Sequence, residues 1–122
     1  MSSLTRTITG DVLVQHLKQD ALTIDATIVA QHGRSARTLV KEGPLRLTIM
    51  ELAPGGNLPP HDTDGPVCIH VLKGDVTFHV LEREYLLSPG DLLVLAPGVT
   101  HSARSDGGVQ FLLTVVHWLS PP

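Results

Sequence analysis

A chain of 122 residues, 42% hydrophobic and 17% charged, has the composition of a folded domain and the length for one core, not two. Nine Lys and Arg against twelve Asp and Glu give a net charge of -3. The basic residues are spread singly, which excludes the basic patch that nucleic-acid binding needs. No apolar run approaches the roughly 18 residues of a membrane span.

The opening "MSSLTRTITGDVLVQHL" has no long uninterrupted apolar stretch, so no secretory signal is expected. Cys68 is the single cysteine. It cannot form a disulfide within the chain, and the cytoplasm is the expected location.

In chain order, the first expected element is a short helix of one or two turns in "DVLVQHLKQD", with Asp11 as its N-cap. From Glu42 onward, turn signals recur at short intervals: "EGP", "PGG", "DGP", "KGD", "SPGD", "APG" and "SDGG". Between them lie "LRLTIMEL", "VCIHVL", "VTFHVL", "DLLVLA" and "VQFLLTVV". Short apolar or alternating runs bounded by Gly and Pro predict an all-β sandwich or barrel.

Alternation assigns faces to these runs. Val67, Ile69 and Val71 share one face of the first central strand, with Cys68, His70 and Leu72 on the other. A two-residue turn near Lys73-Gly74-Asp75 is expected to pair this strand with "VTFHVL" as a hairpin. That arrangement sets Val76, Phe78 and Val80 beside the first apolar face and His79 beside His70 on the second. The second face, with Cys68, Leu72 and Leu81, is too apolar for water. The N-terminal segment or a second subunit is expected to cover it.

Two spacings carry the chemistry. Gly55 is followed by five residues and His61, then one residue and Thr63, three and Val67, and six and Gly74. Further on, Gly90 is followed by five residues and Ala96-Pro97-Gly98, then two and His101, and three and Ser105. These resemble the two motifs of the cupin family, G-x5-H-x-H-x3-4-E-x6-G and G-x5-P-x-G-x2-H-x3-N, over about residues 44 to 117.

The resemblance implies a double-stranded β-helix (jelly-roll, RmlC-like) barrel of the small single-domain kind, usually dimeric. It divides the chain into an N-terminal arm, about 1 to 36, and a barrel, about 37 to 118. It also implies a divalent metal (Fe, Mn, Zn or Ni) held by two His and a Glu of the first motif and one His of the second.

Here His61 and His101 match the first and fourth ligands, but Thr63 stands for the second His and Val67 for the Glu. Two imidazoles without an anion make an incomplete shell, because such ions recruit three or four protein ligands. The metal is therefore expected at low occupancy or not at all. Candidate replacements are His70, if a bulge turns it inward, and Asp64, although a turn acid before Gly65 is the plainer reading. Glu51 shares a parity with Leu45, Leu47 and Ile49 that points it into the barrel, against a plainer strand-end role.

Thr63, Val67, Ile69, Phe78, Leu93 and Phe111 are the expected pocket lining. Cys68 reads as a buried inert thiol, and His16, His32 and His117 as surface or packing residues. Three functions follow from this reading. The first is a small-molecule-binding barrel with an incomplete two-His site. The second is a metal-dependent enzyme, of dioxygenase or isomerase type, whose metal shell is completed by water or substrate. The third is an assembly dimer without catalysis. Neither a phosphate loop nor a nucleophile elbow is present, and aromatics at 3% leave few stacking platforms.

Overall fold

The structure, a computed structural model, describes residues 11–17, 29 and 31–117. Nine strands run through them: β1 (Arg34–Glu42), β2 (Leu45–Leu52), β3 (Gly56–His61), β4 (Val67–Gly74), β5 (Val76–Val80), β6 (Arg83–Leu87), β7 (Leu92–Leu95), β8 (His101–Ser105) and β9 (Val109–Val116). All neighbours are antiparallel. One sheet has the order β1-β2-β9-β4-β7 and the other β3-β8-β5-β6. Apart from the β1–β2 and β5–β6 hairpins, successive strands cross between the two sheets, which makes a jelly-roll barrel.

The apolar parity of the central strands closes its core. Val67, Ile69 and Val71 of β4 and Val76, Phe78 and Val80 of β5 are all buried, with Leu52, Val109, Phe111 and Val115. Phe78 and Phe111 meet edge to face, ring centres 5.8 Å apart, the geometry that the ring quadrupoles favour.

The expected β4–β5 hairpin is not formed. β4 pairs with β7 and β9, and β5 with β6 and β8, so the chain changes sheets at Gly74-Asp75. β4 stays paired to its last residue, Gly74 opposite Val109, which leaves one residue where a hairpin needs two. Gly74 makes the corner at φ 78, and a Cβ there would clash with the Gly108 carbonyl oxygen. Across the corner, the Ser105 hydroxyl donates to the Asp75 carbonyl at 2.6 Å.

His70 and His79 consequently sit on the outer faces of different sheets and form no pair. Leu81 is 75% exposed at the β5–β6 turn. Leu72 packs beside a second buried cluster of Leu39, Val40 and Ile49, joined by Leu17, Leu45, Leu47 and Leu112.

That cluster corrects the reading of β2. Leu45, Leu47, Ile49 and Glu51 face it on the outside of the five-stranded sheet, while Met50 and Leu52 face the barrel. Glu51 accepts a 2.6 Å hydrogen bond from the Gln110 amide on the same outer face.

Within the expected N-terminal helix, Asp11 lies in a turn and Val12–His16 adopt no regular structure. Residues 18–20 fall outside the described residues, as does most of the arm. Among the described residues, no helix is long and apolar enough to cross a membrane.

Candidate functional site

His61 and His101 come together because of a local irregularity in β3. Leu58 pairs with Ala103 and His61 with His101, so β3 carries one more residue than β8 over this step. The extra residue falls at Pro59-Pro60, where no backbone N–H exists to hold a regular ladder. The bulge reverses parity and brings His61 round to the side of His101. Their ring centres are 4.3 Å apart with planes inclined at 58°.

Both rings are oriented by their own strands. His61 Nδ1 lies 3.0 Å from the Pro59 carbonyl oxygen, and His101 Nδ1 lies 3.0 Å from that of Val99. A carbonyl only accepts, so Nδ1 carries the proton and donates in both cases. In the neutral rings Nε2 is then a bare lone pair on each.

His101 is 3% exposed, with the Phe78 ring centre 6.3 Å away. Its pKa is lowered from the ordinary imidazole value, first by burial and further by the neighbouring His61. The Val99 carbonyl and the charge of Asp62 act in the opposite direction. His61 is exposed and forms the outer half of the pair.

Thr63 donates its hydroxyl proton to the Gly65 carbonyl at 2.8 Å, and its own carbonyl accepts from the Gly98 N–H at 2.8 Å. This ties the 62–66 loop to the turn after β7. Val67 is buried, paired with Leu95 and Val115.

His70 lies on the opposite side of β4 from buried Ile69 and Val71, so no bulge turns it toward the pair. Asp64 is held by His117, Nδ1 to Oδ1 2.9 Å, a partnership between residues far apart in sequence. His117 is brought there by β9, whose end is anchored by its N–H on the Pro44 carbonyl at 2.7 Å. Of the remaining expected lining, Ile69, Phe78 and Phe111 are fully buried core residues, and Leu93 packs against them.

A resident divalent metal does not fit this donor set. Two imidazole nitrogens are available, the position of the family's carboxylate is an aliphatic side chain, and the Thr63 hydroxyl is turned to a carbonyl. Among the described residues, no group of three His, Cys, Asp or Glu side chains converges, below the three protein ligands such sites use.

Residues 48–117, more than half of the chain, match the cupin domain. Among solved structures, the chain is similar to a conserved protein of unknown function from Streptococcus pyogenes, at 24% identity over 88% of this chain and 93% of that one, TM-score 0.68. It is also similar to the polyketide cyclase RemF from Streptomyces resistomycificus, at 23% identity over 73% and 68% of the two chains, TM-score 0.65. A third likeness is to salicylate 1,2-dioxygenase from Pseudoaminobacter salicylatoxidans, at 18% identity over 69% of this chain and 25% of that one, TM-score 0.65. At these identities the likenesses carry the fold alone, and one fold hosts many activities. No curated protein matches the chain. The jelly-roll barrel, the two spaced motifs and the match over residues 48–117 together establish that the chain belongs to the cupin family.

Proposed function

We propose that the protein is a small-molecule-binding cupin whose recognition centre is the His61–His101 pair. The observation that supports this is the way each ring is held: each Nδ1–H is committed to a backbone carbonyl, which leaves Nε2 as the acceptor of each neutral ring, with the ring centres 4.3 Å apart. Burial lowers the pKa of His101 and so favours its neutral, accepting form. A ligand that matches the pair carries a hydroxyl or N–H donor for the Nε2 acceptors. The cytoplasm remains the expected location, on the strength of the single cysteine.

A screen of small hydroxylated and aminated compounds, read by backbone amide shifts in solution, tests this reading. Binders are expected to shift residues 61 to 63 and 99 to 101, and to lose at least about tenfold in affinity in His101→Gln. Binders that leave those amides unmoved, or that bind His61→Gln/His101→Gln unchanged, would overturn it.

A second reading is a metal-dependent enzyme in which substrate and water complete the shell. The Nδ1–H to carbonyl bonds support it, since metal-ligating imidazoles are oriented in this way. Similarity to salicylate 1,2-dioxygenase is consistent with it at the level of fold.

A further inference from the structure

We propose a second binding site, on the outer face of the five-stranded sheet at the ends of β2, β4 and β9, for a small zwitterion with an apolar side chain, of the α-amino acid class. Its ammonium lies toward Glu51 and Gln110, and its carboxylate on Lys73.

The site is a cavity of about 440 Å³, within the range of small-molecule pockets. Val29, Ala53 and Pro54 supply an apolar wall. Three polar side chains form one row across the sheet, Glu51 opposite Gln110 and Gln110 opposite Lys73, and all three line the cavity.

The row depends on a bulge. In β4 the pairing steps from Val71–Phe111 to Lys73–Gln110, two residues against one. Val71 faces the core, so strict alternation would turn Lys73 inward as well; the extra residue, Leu72, turns it out onto the face of Glu51 and Gln110. A bulge that re-aims one charged side chain into a cavity is a functional device in sheets.

Gln110 supplies an independent pointer to a ligand. A carboxylate only accepts, so the amide nitrogen must face Glu51, as the 2.6 Å bond shows. The amide oxygen is then left buried with no partner among the described residues. Buried acceptors are paired in nearly all proteins, and here the missing element is a donor. Glu51 and Lys73 form no ion pair with any described residue. They stand two strand spacings apart, roughly 10 Å, so a ligand carrying both charges bridges them. An ammonium satisfies both Glu51 and the Gln110 oxygen, and a carboxylate satisfies Lys73.

The test is an amide-shift titration of the full chain with L-leucine, L-methionine and L-phenylalanine, against isopentylamine and isocaproate, which carry one charge each. At least one amino acid is expected to give saturable shifts at Gly74, Gly107 and Gly108, and to bind at least about tenfold tighter than either single-charge probe. Lys73→Met is expected to remove that advantage over isopentylamine, and Glu51→Gln the advantage over isocaproate. Circular dichroism melts confirm that both variants fold. Absence of saturable shifts with all three amino acids, equal affinity of zwitterions and single-charge probes, or indifference to both substitutions would each overturn the proposal. Shifts confined to His61 and His101 would also overturn it, and would support the reading of that pair instead.

Discussion

His61 and His101 face each other across the β3–β8 register at 4.3 Å between ring centres, one exposed and the other buried. The asymmetry sets their chemistry. The buried ring is poor at taking a proton, while the exposed ring is open to solvent.

The first consequence is a pH dependence of stability. The folded-state pKa of His101 lies below its unfolded value, so the unfolded chain binds the extra proton first. The contribution is fully present above about pH 6.5 and is lost as pH falls from there through the lowered folded value. Thermal melts between pH 7.5 and 5 are expected to show a falling midpoint, with a smaller fall in His101→Gln. Equal slopes in the two proteins would show that burial of this ring is not the cause.

The β5–β6 turn carries stored strain. Leu81 and Glu82 both have positive φ, 51 and 66, as a two-residue type I′ loop requires, yet neither is Gly or Asn. The left-handed region costs such residues about 1–2 kcal/mol each. Leu81→Asn/Glu82→Gly is therefore expected to raise the melting midpoint by several degrees. An unchanged or lower midpoint would locate the strain elsewhere.

Where the sequence was legible, one face of a strand was apolar and the other was not. Val67, Ile69 and Val71, and Val76, Phe78 and Val80, alternate cleanly and all lie in the core. β2 defeated the same logic because it is apolar on both faces: Leu45, Leu47 and Ile49 pack outside, Met50 and Leu52 inside. Its parity depends on the second cluster, which β1 and Leu17 complete. β1, β3, β6 and β8 have no clear apolar alternation; "GNLPPH" and "HSARS" are strands because neighbours pair with them. The motif spacing brought His61 and His101 to notice, but the bulge at Pro59-Pro60 that aligns them has no signature beyond the two prolines. The Asp64–His117 contact joins loops whose proximity only the β4–β9 pairing creates.

The corner at Gly74 admits a sharp test. A methyl group there would meet the Gly108 carbonyl on a backbone already at φ 78. Gly74→Ala is expected to cost more than about 2 kcal/mol in denaturant unfolding, from strain and clash together. A loss within about 0.5 kcal/mol would mean that the corner relaxes freely.

Self-association is expected through β7, the edge of the five-stranded sheet. Leu92 and Val94 are 60% and 66% exposed there, beside half-buried Cys68 and His70 of β4. An apolar unpaired edge invites a second copy. Sedimentation at micromolar concentration is expected to show a dimer, and Leu92→Glu/Val94→Lys a monomer. A wild-type monomer removes the interface.

The most direct measurement of the account is calorimetric titration of zinc into the wild type and into Thr63→His/Val67→Glu, each purified without a metal-affinity tag. The wild type is expected to bind weakly, because two imidazoles are all it offers, and the double variant, which adds an imidazole and an anion, to bind at least about tenfold tighter. Wild-type binding as tight as that of a folded double variant would contradict the claim that the His61–His101 pair is an incomplete metal shell and an open recognition centre.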